Sequence, residues 1–186
     1  MNAPIDISSI TLKTPRLTLR PWRQSDLEDF YEYASVDGVG QMAGWLPHES
    51  REKTQMILDG FITGKKTFAL EYQGKVIGSL GIEYYTEEKH PEFAKLQGRS
   101  LGYVLSKDYW GQGLMPEAMK AVLEYLFGTV GLDFLTISHF TWNDRSRRVI
   151  EKSGFRCVGT DIHETRYGTK EPVMYYILYR KDWLKC

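Results

Sequence analysis

Between a strand-like run and a helix-like run of this chain stands the heptapeptide Trp110-Gly111-Gln112-Gly113-Leu114-Met115-Pro116. Ahead of it, Ser100 to Leu105 reads as a strand. Behind it, Ala118, Met119, Val122, Leu123 and Leu126 recur at helical spacing. Glycine lets a backbone approach a ligand closely, and proline at the first helical position gives up only an amide that has no partner within the helix. The other early N–H groups and the positive helix end then face an incoming anion, for which a diphosphate is the natural occupant. A tight connection without a ligand is the plain alternative. A nucleotide P-loop would need Gly-Lys-Ser/Thr at the helix start, and a dinucleotide loop a third glycine where Pro116 stands, so both are excluded.

The elements around this loop predict a mixed α/β chain. Arg16 to Arg20 alternates apolar and polar residues as a half-buried strand, and Ser25 with Glu28 predicts a capped helix running to about Ser35. Asp37 to Pro47 reads as a loop, and Ser50 caps a second helix toward Phe61. Thr67–Tyr72 and Val76–Ile82 flank Gln73-Gly74, a tight hairpin signature, and Thr86 to Gln97 is a polar excursion. A strand over Phe134–Phe140 leads to a helix from Asn143 to Ser153, stopped by Gly154. Two strands follow, near Phe155 to His163 and Val173 to Lys181. Without repeats or composition shifts, residues 1–186 read as a single domain.

Charge narrows the partners. Lys plus Arg and Asp plus Glu both number 24, so no global field holds the chain on nucleic acid or an anionic membrane. No run is long and apolar enough to span a bilayer. The start, Met1-Asn2-Ala3-Pro4, lacks a basic region followed by an apolar one, so the expected location is the cytoplasm. The two cysteines, Cys157 and Cys186, have no metal-ligand spacing to the histidines, and no metal site is expected. Cys157, in a strand-like stretch, is read as a packed thiol.

Three segments together resemble the GNAT superfamily of acetyl-CoA-dependent N-acetyltransferases, with the RimJ/RimL-type branch (ribosomal-protein N-terminal acetyltransferases) looking closest. They are Thr14 to Arg20, Tyr109 to Ala118, and Asn143 to Phe155. The resemblance implies a mostly antiparallel central sheet, helices on both faces and a splayed strand pair that admits acyl-CoA. The superfamily's diphosphate motif falls on Trp110 through Met115, assigning Gly111, Gln112, Gly113, Leu114 and Met115 to the cofactor. Trp110 and Met115 depart from the general pattern, which leaves that contact to backbone amides. By the same resemblance, backbone groups of Val104 or Leu105 hold the pantetheine arm and polarise the thioester carbonyl. A preorganised donor of that kind is worth about 3 kcal/mol.

At the last helix, Asn143 reads as an N-cap bonding an amide near Ser146. The resemblance adds that both residues lie beside the pantetheine and sulfur, so that Ser146 can protonate the departing thiolate. A thiol of pKa about 8.5 needs little such help. Arg145, Arg148 and Lys152 share a helical stripe. Such runs are usually solvated faces, yet the resemblance makes Arg148 and Lys152 partners for the phosphorylated adenosine end.

The acceptor is read as a primary amine, either a protein N-terminus or a small molecule. Glu83 is the first candidate base, because it ends an apolar strand in phase with small Ser79 and Gly81; a wet strand-end carboxylate is the alternative. His139 is the second, against a packing role. Trp45, Tyr84, Tyr85 and Trp142 do not single out an acceptor pocket. A non-catalytic acyl-CoA-binding module is the rival function. The sequence does not decide the oligomeric state, and a homodimer is compatible with it.

Overall fold

Alternating apolar positions become eight strands in the computed structural model, which describes residues 1–185 and leaves Cys186 outside. They are β1 (Leu12–Lys13), β2 (Leu17–Pro21), β3 (Thr67–Tyr72), β4 (Lys75–Glu83), β5 (Gly98–Leu105), β6 (Phe134–Phe140), β7 (Arg156–Glu164) and β8 (Lys170–Tyr179). One sheet joins them in the order β1-β2-β3-β4-β5-β6-β8-β7. Every neighbouring pair is antiparallel except β5 and β6. At Gln73-Gly74 both residues take positive φ, 51° and 82°, as a two-residue hairpin with matching twist requires.

The helices are α1 (Leu27–Ala34), α2 (Arg51–Gly64), α3 (Leu114–Leu123), α4 (Asp144–Lys152) and a short α5 (Arg180–Trp183). Because strand side chains alternate, the central strands supply two cores. On one face Leu19, Leu70, Leu80 and Leu101 pack with Ala118, Met119 and Val122 of α3 and Ile150 of α4. On the other, Trp22, Ala69 and Val104 pack with Phe30 and Tyr33 of α1 and Leu58 of α2. Helices therefore cover both faces, as expected. Burying each such leucine or phenylalanine stabilises the fold by about 2 kcal/mol.

Several local readings need correction. Ser25 does not cap α1, whose N-cap is Asp26 with no side-chain cap bond to the helix. The Asp26 carboxylate instead closes the preceding turn, accepting the Arg23 N–H at 2.8 Å, and takes a double contact from Arg20. The helix expected to open at Pro116 opens at Leu114, with Gly113 as N-cap, so Pro116 is its third residue. That position also lacks an acceptor one turn back, so the missing amide costs nothing. The segment from Thr86 to Gln97 is not merely polar: Phe93 is buried there against Tyr85 and Phe134. Cys157 is exposed rather than packed, because β7 pairs only with β8 and all nine of its residues are exposed.

Candidate functional site

The parallel ladder between β5 and β6 is short. It joins Gly98 through Leu101 to Phe134 through Ile137 and then stops. Beyond that point β5 stays with β4 as far as Leu105, while β6 follows β8 as far as Phe140, so the sheet opens between them. The Ser106 N–H donates to the Ile77 carbonyl at 2.7 Å. Alternation along the strand then turns the Val104 backbone toward β4 and the Tyr103 and Leu105 backbones toward the gap. Consistent with this, a Cβ on Gly78 would collide with the Val104 carbonyl. Of the two residues expected to offer a backbone donor, Leu105 is the one facing the gap. Its carbonyl is taken by the Trp110 indole N–H at 2.8 Å.

The glycine loop lies at the end of β5. Gly111 and Gly113 have φ of 77° and 78°, a left-handed conformation that disfavours any side chain. The side chains of Leu114 and Met115 are buried in the core. Their first-turn N–H groups have no acceptor within the helix, whose first closing bond runs from the Glu117 N–H to the Gly113 carbonyl. Gln112 turns its amide back to the Asp108 carbonyl at 3.0 Å, leaving its backbone to the loop.

A clamp from the chain's start holds this loop. The Arg16 backbone N–H and Nε donate to the two Glu117 carboxylate oxygens at 2.9 and 2.7 Å, and Nη1 donates to the Gln112 carbonyl at 2.9 Å. Thr14 Oγ1 donates to Glu117 at 2.5 Å. Burial alone would raise the Glu117 pKa, but the hydrogen bonds from Thr14 and Arg16 outweigh it and leave it below the usual carboxylate value.

A cavity of about 560 Å3 lies over the strand gap, and Glu83, Val104, Tyr103 and Ser146 all line it. Ser146 Oγ and the Tyr103 phenol oxygen are 2.7 Å apart, and the phenol also approaches the Ser146 carbonyl at 3.2 Å. Burial raises the Tyr103 pKa, against a smaller opposing effect of the Ser146 hydrogen bond, so the phenol keeps its proton at neutral pH. The Glu83 carboxylate folds back over Gly81 and is ion-paired with the Lys66 ammonium. It is thus at once on the cavity wall and partly in solvent.

His139 has both ring nitrogens engaged, Nδ1 with the Phe140 carbonyl at 2.7 Å and Nε2 with the Tyr176 hydroxyl at 3.2 Å. That arrangement suits a packing role, and the ring also lines the cavity. Asn143 Oδ1 accepts the Ser146 N–H at 3.1 Å, the expected cap, while its amide reaches the Met42 carbonyl at 3.4 Å. Arg145 lies over the Trp110 ring at 5.0 Å, and Arg148 and Lys152 stand exposed on α4. Of the four aromatics, Trp45, Tyr84 and Tyr85 line the cavity, Tyr84 being largely exposed and stacked on Arg99, whereas Trp142 does not line it and is exposed against Phe140.

The structure therefore gathers Glu83, Val104, Tyr103 and Ser146 around one cavity, with the glycine loop and α4 flanking the strand gap. Sequence reasoning missed Tyr103, whose partner is 43 residues away, and the Arg16–Glu117 clamp, visible only as part of a family motif. Among the described residues no cluster of metal-ligating side chains occurs, and no helix is long and apolar enough to cross a membrane.

Comparison with known proteins agrees with this geometry. The uncharacterized N-acetyltransferase YoaA of Bacillus subtilis (strain 168) is 29% identical over 155 residues, covering 80% of this chain and 84% of the relative. A GNAT-family acetyltransferase from Bacillus anthracis superposes with a TM-score of 0.79 at 23% identity, covering 92% of this chain and 99% of its own. Mycobacterium smegmatis RimJ, solved in complex with CoA-disulfide, superposes at 0.73 and 20% identity, covering 92% of this chain and 87% of its own. The sequence model for the acetyltransferase (GNAT) domain matches residues 16–156, and the chain accordingly belongs to the GNAT family of acetyl-CoA-dependent acetyltransferases.

Proposed function

We propose that the chain transfers the acetyl group of acetyl-CoA to a primary amine, a small molecule or a protein N-terminus, by direct attack of the amine on the thioester. The observation that carries this reading is the parting of β5 and β6 beside the glycine loop, with Tyr103 and Ser146 at the gap. The left-handed Gly111 and Gly113 and the free amides of Leu114 and Met115 suit a diphosphate. Arg148 and Lys152 suit the phosphorylated adenosine end. When bound, acetyl-CoA supplies the activated acyl group.

The remaining chemistry falls to the chain's own groups. The Leu105 N–H faces the gap and is placed to stabilise negative charge developing on the carbonyl oxygen. The Tyr103–Ser146 hydroxyl pair delivers a proton to the leaving sulfur. Glu83, directly or through water, takes the proton from the amine. An N-terminal amine of pKa about 8 reaches the neutral state more readily than a lysine at about 10.4.

The three sequence segments and the likeness to RimJ favour the RimJ/RimL-type branch. The reading treats the chain as one cytoplasmic acetyltransferase unit, with balanced charge favouring neither nucleic acid nor membrane as partner. The test is thiol release from acetyl-CoA across peptides, amino acids, polyamines and aminoglycosides, with calorimetric CoA binding to wild type and Gly113→Trp. Acceptor-dependent release, with binding lost in the variant, is expected. A folded wild type that binds no CoA overturns the reading.

A further inference from the structure

A second cavity, of about 500 Å3, opens on the α1–α2 side of the sheet. It shares Trp45, Phe61, Ser79, Val104 and Arg166 with the first, so a molecule seated in it borders the strand gap. Its walls are largely aromatic and aliphatic, from Phe30, Trp45, Met56, Ile57 and Phe61. One buried polar ring interrupts them.

That ring is His48, which is 5% exposed and lies between Phe30 and Trp45 at centroid distances of 5.2 and 5.0 Å. Its backbone N–H is fixed to the Ala34 carbonyl at 2.9 Å. Nδ1 lies 2.9 Å from Thr54 Oγ1, and the Thr54 hydroxyl itself donates to the Ser50 carbonyl at 3.2 Å. In the tautomer in which the Thr54 proton stays on the Ser50 carbonyl, Nδ1 donates to Thr54 and the lone pair is on Nε2. No donor from the described residues meets Nε2. The imidazole is therefore a built hydrogen-bond acceptor facing a cavity.

The charges around it have a sign. Burial, then Lys53 and Arg166, lower the His48 pKa to about 4, so the ring is neutral at physiological pH and both cations lie within electrostatic reach of it. Both are exposed at the cavity mouth, and neither enters an ion pair among the described residues. Glu49 is the one carboxylate lining this cavity. An acceptor with several positive charges would meet two like charges for one opposite. An acceptor with a carboxylate near its amine would meet the reverse.

We propose that the second cavity seats the acceptor and selects an amine bearing a nearby carboxylate on an apolar or aromatic body, as in an α-amino acid. The nitrogen N–H donates to His48 Nε2 and the carboxylate meets Lys53 and Arg166. This rests on the acetyltransferase reading above and narrows its acceptor. His48 acts by orienting the amine, since a ring with so low a pKa does not store its proton.

The test uses the unreactive products. N-acetylphenylalanine and N-acetylleucine, their amides, and spermidine are titrated calorimetrically into the CoA-loaded protein. The acids should bind about tenfold or more tighter than the amides, the scale of a hydrogen bond to a charged group. The Lys53→Gln/Arg166→Gln double variant should abolish that difference with CoA affinity unchanged. His48→Leu should weaken acid and amide alike by about tenfold, and His48→Gln, which retains an acceptor, should restore most of it. Amides binding as well as acids, neither acid binding, or spermidine binding in their place overturns the proposal while CoA binding stands. Loss of CoA binding in the wild type would instead strike the acetyltransferase reading.

Discussion

Tyr103 on β5 and Ser146 on α4 share a hydroxyl–hydroxyl hydrogen bond of 2.7 Å across the strand gap. On the proposed role of the pair as one proton-delivery unit, Tyr103→Phe and Ser146→Ala should each lower kcat by about ten- to hundredfold, with the KM for acetyl-CoA little changed. The double variant should be no worse than either single one. Losses that multiply in steady-state kinetics would show that the two hydroxyls act separately.

The Arg16–Glu117 clamp predicts a remote effect on the cofactor. Arg16→Ala frees the Gln112 carbonyl and loosens the first turn of α3, so CoA affinity should fall about tenfold while stability falls by about 1 kcal/mol. Calorimetry and urea unfolding measure the two. An affinity unchanged by this substitution would mean that the loop holds its shape unaided. The Glu117 pKa is lowered in the fold, so its stabilising effect is present above the unfolded value and lost as pH falls through the folded one. In Glu117→Gln that acid-side loss should shrink.

His48 makes a separate prediction in acid. The unfolded histidine takes up its proton near 6.5 whereas the folded one resists until about 4. The contribution of the neutral ring is therefore complete above about pH 6.5, is lost progressively as pH falls from there, and levels off below about 4. The Tm of His48→Gln should change less than that of wild type between pH 7 and 4.5, provided both scans are reversible. Parallel curves would assign the acid transition to carboxylates alone.

A fourth prediction concerns the strand seam. A Cβ on Gly98 would run into the Phe134 ring, with which Gly98 pairs in the parallel ladder. Gly98→Ala should cost about 1–3 kcal/mol in chemical denaturation. Phe134→Leu in the same background should recover part of it. A neutral Gly98→Ala would show that the ring moves aside freely.

The strand-and-helix order was legible because the relevant signals are local. Gln73-Gly74 needs only its own backbone angles, and Gly154 stops α4 by the same logic, with φ of 87°. The site was legible only where a motif is contiguous, as in the glycine loop and the Asn143 cap. Tyr103 reads as one more strand residue until α4 is folded against it. His48 sits in a loop with three glycines nearby, where nothing in the sequence signals burial against Phe30 or a bond to Thr54. Cys157 failed in the opposite sense: its strand was identified, but whether a strand ends up inside a sheet or at its margin depends on the order of all eight.

The short β5–β6 ladder has a mechanical meaning. Four residue pairs are the only hydrogen-bonded connection between the five strands from β1 to β5 and the three from β6 to β8 among the described residues. A pantetheine arm laid along the exposed edge of β5 would act as a surrogate strand, supplying the bonds that the ladder lacks. Amide hydrogen exchange in β5 and β6 should then slow when CoA is added. The protein would be stiffest across its middle while the acyl group is in place, and most compliant after the product has left.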